Sequence, residues 1–166
     1  FVEAQILEAC DIDFIDENLE TIDFDDDADI VGISMMLTVQ VKRGWEIADE
    51  YRKKGVPVIF GGIATMLHAE ETRAHADSVF LGEAEGRMAD VIEDFRRGRL
   101  QPVYDYLDAR PPIEWVGTAR REILDRTLYN YKGIQMVDLV HASRGCRFNC
   151  YPCCVAFLGG RDFRPR

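Results

Sequence analysis

The chain has 166 residues, with 20 Lys and Arg set against 30 Asp and Glu, for a net charge of −10 at pH 7. That surplus argues against nucleic acid as a partner for the bulk of the chain, while a hydrophobic content of 47% is enough to build the core of one or two small domains. No apolar run reaches the roughly 18 residues a membrane-spanning helix needs, and the N-terminus lacks the basic region and apolar core of a signal peptide, so a cytoplasmic setting is expected.

In chain order, "DIDFIDENLE" (Asp11–Glu20) is expected to hold an early strand centred on Phe14 and Ile15. The acidic stretch Asp23–Asp29 alternates Asp as a calcium loop does. Its sixth position is Ala28 rather than Gly and its twelfth is Ser34 rather than Glu, so it reads as a solvated turn. "DIVGIS" (Asp29–Ser34) reads as a buried strand. The following stretch places Val41, Trp45, Ala48 and Tyr51 at helical spacing, with Arg52, Lys53 and Lys54 at the dipole's negative end and Gly55 as the stop.

"VPVIFGG" (Val56–Gly62) reads as a second strand, a weaker helix follows around Ala69–Ala74, and "DSVFLGE" (Asp77–Glu83) reads as a third strand. Ala84, Met88, Val91, Ile92 and Phe95 then form one apolar helix face closed by Gly98. Strands alternating with helices at this spacing predict an α/β fold, a doubly wound parallel sheet with helices on both faces. Leu100 to about Met136 carries Pro102, Pro111 and Pro112 with scattered aromatics and reads as a connector. "MVDLVHAS" (Met136–Ser143) reads as a strand delivering "RGCRFNCYPCC". There are no repeats and no low-complexity segments.

That last stretch holds four of the five cysteines. From Leu139 to Arg166 there are five Arg and one Asp, a local +4 that leaves −14 on the rest, which points to a local anionic ligand. In a cytosolic setting, clustered cysteines serve metal or redox chemistry more often than structural disulfides. Cys146, Cys150 and Cys153 fit C-x3-C-x2-C. Three thiolates in one short loop can hold three irons of a [4Fe–4S] cluster and leave the fourth open. The spacing differs from the usual zinc and ferredoxin patterns. A zinc site completed by Cys154 or a distant ligand stays open as the alternative. His68, His75 and His141 form no metal-binding set, and no Walker loop, G-x-G-x-x-G or Ser–His–Asp order is present.

"SRGCRFNCYPC" resembles the cluster loop of radical S-adenosylmethionine enzymes. The resemblance implies that Cys146, Cys150 and Cys153 bind [4Fe–4S], and that the open iron takes the amino and carboxylate groups of S-adenosylmethionine. One electron then cleaves the sulfonium to a 5′-deoxyadenosyl radical. Arg144 and Arg147 would lie near the anionic cluster. Pro152 stands where the family commonly has an aromatic residue, and Cys154 offers a second register; Cys153 is preferred because the x2 spacing is the family's. Upstream, "ADIVGISMM", "GVPVIFGGIAT", "HADSVFLGEAEG" and "DFRRGRLQPVY" look like the cobalamin-binding domain that precedes the barrel in many such enzymes.

The resemblance implies a Rossmann-like cobalamin-binding domain over residues 1–105, a connector over 106–135, and over 136–166 the first strand and cluster loop of a truncated radical (β/α) barrel. In an open parallel sheet, ligands bind beyond the carboxyl ends of strands. The expected cobalamin-binding residues are therefore Ser34, Met35, Thr38, Gly61, Gly62, Gly82 and Glu83. The hydroxyls would meet polar groups of the corrin, and Met35, Met36 and Leu37 would form an apolar bed. No D-x-H-x-x-G motif supplies an axial histidine. No catalytic residue is assigned. The chain begins at Phe1 and ends at "RDFRPR", and is expected to be a piece of a longer enzyme, inactive by itself. The whole enzyme would be a methyltransferase or cyclase using cobalamin, S-adenosylmethionine and an electron donor such as flavodoxin or ferredoxin on an unidentified small molecule. The alternatives are a non-catalytic cobalamin module with a structural zinc loop, and a plain α/β regulatory domain.

Overall fold

The computed structural model describes residues 10–117, 121–135 and 141–166. Contacts divide the chain into two compact units, one formed by Phe24–Pro111 and the other by residues on either side of it. The first unit is an α/β layer structure. Strands β1 (Val31–Ser34), β2 (Val58–Gly61), β3 (Ser78–Leu81) and β4 (Val103–Asp105) form one parallel sheet in the order β1-β2-β3-β4.

The register pairs Val31 with Val58, Phe60 with Val79, and Phe80 with Tyr104. Side chains alternate between faces along a strand, so Val58 and Phe60 share one face and Ile59 points to the other. Helix α1 (Val41–Lys53) covers the first face. It buries Val41, Gly44, Ile47, Ala48 and Tyr51. A Cβ on Gly44 would stand 3.2 Å from the Phe60 ring and closer still to the Met35 sulfur, so a bare helix position lets α1 settle on the sheet. Trp45 lies on the helix edge, stacked on His75 at 4.8 Å, with its indole N–H donating to Thr72 Oγ1 at 3.2 Å. The other face carries a second cluster. Ile59, Phe80 and Tyr104 pack with Val91 of the helix Met88–Arg96. Helices thus cover both faces, as the alternating pattern requires.

The three expected strands form within a few residues of their expected bounds. The weak helix is longer and broken, into α2 (Ile63–Leu67), α3 (Ala69–Thr72) and a 3-10 turn at Arg73–His75. The apolar-faced helix, α4, runs from Met88 to Arg96. Ala84 lies in a turn before it, its carbonyl accepting from Arg87 and Met88 N–H.

Two expectations fail. Asp11–Glu20 holds no strand. Asp16 closes a turn there instead: its carbonyl accepts from Leu19 and Glu20 N–H, and its side chain accepts from Asn18 N–H. An Asx side chain offers the backbone a local alternative to a ladder. The stretch after Leu100 is also more than a connector, because its first residues form edge strand β4. Pro102 masks that strand in the sequence, yet its carbonyl accepts from Val79 N–H, and Pro is tolerated at the start of an edge strand.

In the second unit, β5 (Asn130–Tyr131) and β6 (Ile134–Gln135) form a tight antiparallel hairpin. The expected strand Met136–Ser143 falls largely outside the described residues. Its last residue, Ser143, opens β7 (Ser143–Arg144), which pairs antiparallel with β8 (Arg164–Pro165). A short helix, α5 (Val155–Gly159), lies between them.

Candidate cofactor-binding site at the sheet's carboxyl edge

The four parallel strands present their carboxyl ends together at Ser34, Gly61, Leu81 and Asp105, and the loops that follow carry most of the residues singled out from sequence. Ser34 pairs with Gly61 across β1 and β2, and Gly32 pairs with Ile59. Ser34, Gly61 and Gly32 therefore share a sheet face. Gly32 and Ser34 are exposed. Among the described residues, a Cβ built on Gly32 or Gly61 would meet nothing within 4 Å. The result is a strip of sheet almost without side chains, ending in a hydroxyl, which a flat or extended ligand can approach closely.

Met35 does not join the expected apolar bed through its side chain, which is only 1% exposed and packs into the core under α1. The alternation that exposes Ser34 sends the next residue inward. The exposed apolar residues are Met36 (54%), Leu37 (61%) and Val39 (83%). Water-facing apolar side chains gathered in one loop are what a ligand-binding surface needs. Thr38 is exposed, and its Oγ1 lies 3.4 Å from His68 Nε2.

Gly62 and Gly82 serve the loops themselves. Gly62 has φ +90°, and a Cβ there would lie 2.5 Å from the Met35 carbonyl oxygen. Gly82 has φ +113°, and a Cβ there would lie 2.8 Å from the Tyr106 carbonyl. Each glycine lets one strand-end loop press against the next, so their part in any site is to set its shape. Glu83 is half-buried beside Gly82. The Arg87 guanidinium stacks 4.9 Å above the Tyr106 ring at the same end of the sheet.

Sequence reasoning missed Gln40 and Gly32. Gln40 Oε1 accepts from the N–H groups of Met36 (2.8 Å) and Leu37 (2.9 Å). The N-cap position three residues earlier is Leu37, which has no side-chain acceptor, so no capping-box pattern marks Gln40 in the sequence. A separate concavity of about 570 Å³ lies at the far end of α1, lined by Asp49, Arg52, Val56 and Asp77 among others. Its charges are already matched, with Arg52 Nε 3.2 Å from Asp77, and its lining includes none of the expected cofactor-binding residues.

The cysteine loop is closed at its base by β7 and β8. Gly145 has φ +81°, and a Cβ there would fall 2.0 Å from the Asp162 carbonyl oxygen. Cys146 N–H donates to Gly160 O at 2.9 Å, Cys153 N–H donates to Cys150 O at 2.9 Å, and Arg161 reaches Asn149 Oδ1 at 3.1 Å. Cys146 is half-buried, while Cys150, Cys153 and Cys154 are exposed, and all four are free thiols. Among the described residues, no three His, Cys, Asp or Glu side chains are grouped as one metal ion would require. The hairpin thus brings the three cysteines into one loop. No helix among the described residues is long and apolar enough to cross a membrane.

Residues 2–92 match the B12 binding domain family. The chain is 33% identical over 159 residues to bacteriochlorophyllide d C-8(2)-methyltransferase of Chlorobaculum tepidum, covering 92% of this chain and 34% of that protein. It is 27% identical over 158 residues to bacteriochlorophyllide d C-12(1)-methyltransferase of the same organism, covering 94% of this chain and 34% of that protein. The chain spans about a third of the length of these curated relatives. No solved structure matches it.

Proposed function

The chain belongs to the B12-binding domain family, and from that premise we propose that it is the cofactor-holding part of a cobalamin-dependent radical S-adenosylmethionine methyltransferase. The observation that carries the reading is the joint placement of a bare sheet strip and an exposed apolar loop at the carboxyl ends of β1 and β2, inside the segment that matches the family. The residues present fit a corrin. Gly32 and Gly61 leave room for close approach, Ser34 and Thr38 offer hydroxyls, and Met36 and Leu37 offer apolar surface. Cobalamin, when bound, carries a methyl group between donor and acceptor. Residues of the sheet edge would hold the corrin, with Met36 and Leu37 offering apolar surface that would exclude water and Ser34 and Thr38 offering hydroxyls for its polar groups. Met35 only braces the rim, its N–H bonded to Gly61 O and its carbonyl to Ala64 N–H, and Gly62, Gly82 and Glu83 shape that rim.

The cysteine hairpin is proposed as the place where Cys146, Cys150 and Cys153 bind iron as part of a [4Fe–4S] cluster that takes S-adenosylmethionine. Three free thiols among Arg144, Arg147 and Arg161 support that donor chemistry. Methyl transfer is supported by the two relatives, which are both methyltransferases. Their greater length supports a whole enzyme in which the remaining residues contact the substrate.

Titration of the chain with hydroxocobalamin, followed by the corrin absorption bands and by retention on gel filtration, tests the first part. Saturable uptake of one equivalent is expected, and an unchanged spectrum with no retained corrin would overturn the reading. Anaerobic reconstitution with iron and sulfide tests the second. A broad thiolate-to-iron absorption band is expected, whereas one tightly held zinc and no such band would overturn the cluster assignment.

A further inference from the structure

The loop after β1 has an unusual basis for its shape. Met36, Leu37 and Val39 are 54%, 61% and 83% exposed, so burial of these side chains does not fix it. Hydrogen bonds do. One oxygen, Gln40 Oε1, accepts from two consecutive backbone N–H groups, Met36 at 2.8 Å and Leu37 at 2.9 Å. The Gln40 N–H closes the same turn by donating to Leu37 O at 2.9 Å. Without that oxygen, two adjacent backbone donors would turn to water and the loop would sample other conformations.

We propose that Gln40 is a positioning residue for the corrin. Its side-chain carbonyl forms the Met36–Thr38 platform in advance of binding, without itself touching the ligand. The proposal rests on the cobalamin reading above and adds a determinant of affinity to it. Binding to a loop already held in shape does not spend interaction energy on ordering that loop. Because only the oxygen of Gln40 is used, its chemistry is specific. A carboxylate at this position can accept the same two N–H groups, whereas an isosteric hydrocarbon cannot.

The test uses the chain itself with Gln40→Glu and Gln40→Leu. Amide hydrogen exchange of the free proteins reads the loop directly. Met36 and Leu37 N–H are expected to exchange about tenfold faster in Gln40→Leu and near the parent rate in Gln40→Glu. Hydroxocobalamin titration is expected to show affinity weakened by about tenfold in Gln40→Leu and restored to within roughly threefold in Gln40→Glu. Equal affinities in all three proteins would overturn the proposal, as would equal weakening of both variants. An affinity loss matched by a comparable fall in the unfolding midpoint would also overturn it, since that is general destabilisation. If the parent chain takes up no corrin, the cobalamin reading fails and this proposal with it. If the parent binds and Gln40→Leu binds as well, only the positioning role fails.

Discussion

Gly62 stands against the backbone of Met35 so closely that a Cβ at residue 62 would lie 2.5 Å from the Met35 carbonyl oxygen and 2.9 Å from its nitrogen. The same two backbone groups are already engaged. Met35 N–H donates to Gly61 O at 3.0 Å, and Met35 O accepts from Ala64 N–H at 2.9 Å. The two strand-end loops are therefore laced together by hydrogen bonds at the one place where neither can retreat. Gly62→Ala combines a φ of +90° with this clash. It is expected to cost about 2–3 kcal/mol and to lower the unfolding midpoint by roughly 4–12 °C, as read by thermal circular dichroism.

Gly61, one residue earlier, gives the opposite result. Among the described residues nothing lies within 4 Å of a Cβ there, so Gly61→Ala should fold with stability within about 1 kcal/mol of the parent. The new methyl group nevertheless enters the bare strip beside Ser34. Corrin uptake, measured by absorbance titration, is expected to weaken by about tenfold while the unfolding midpoint stays put.

Tyr104 ties β4 to α4. Its hydroxyl donates to Asp94 Oδ2 at 3.0 Å and accepts from Gln101 N–H at 3.1 Å. Burial, together with the nearby Asp94 carboxylate, holds the phenol above its ordinary pKa of 10.0. Tyr104→Phe should cost about 2 kcal/mol at neutral pH. The folded phenol keeps its proton more firmly than the unfolded one. Its contribution is thus intact below pH 10.0 and is lost as pH climbs from there through the raised folded value. Urea unfolding should show the gap between parent and Tyr104→Phe narrowing as pH rises above 10.0.

Cys153 and Cys154 are adjacent and both exposed, yet they are expected to differ. The Cys154 carbonyl accepts from Leu158 N–H at 3.0 Å at the head of α5, and its thiol lies outside the x2 spacing. After anaerobic reconstitution, Cys154→Ala should retain iron at the parent level. Cys146→Ala, Cys150→Ala and Cys153→Ala should each lose at least about half of it. Equal retention in Cys153→Ala and Cys154→Ala would remove Cys153 from the ligand set.

Gly145 tests the base of the same hairpin. With φ +81° and the Asp162 carbonyl oxygen 2.0 Å from a notional Cβ, Gly145→Ala should open the β7–β8 pairing. Limited proteolysis should then cut between Arg144 and Arg164 several-fold faster than in the parent, with the sheet unit left intact.

The strands at Val31, Val58 and Ser78 were legible because each is a short run of apolar, β-branched or aromatic residues bounded by Gly, Pro or Asp. Helix α1 was legible because its buried positions recur at helical spacing and basic residues close it. β4 was not legible. Three residues behind a proline carry little pattern, and its extended form comes from pairing with Val79, Phe80 and Leu81. The strand expected within Asp11–Glu20 was read from its apolar centre at Phe14 and Ile15, while the Asp16 side chain in fact closes a turn.

The amino-acid sequence by itself determined the alternating α/β order, the glycines at the strand ends and the cysteine spacing, because each depends on the chemistry of neighbours a few residues apart. The tertiary structure alone decided that Met35 points inward while Met36 and Leu37 face water, and that Gly61 opens onto space while Gly62 is pinned. It also decided that one oxygen of Gln40 holds the loop between them. Those outcomes depend on which strand lies beside which, and the pleat of a sheet fixes the direction of each side chain only once its neighbours are in register.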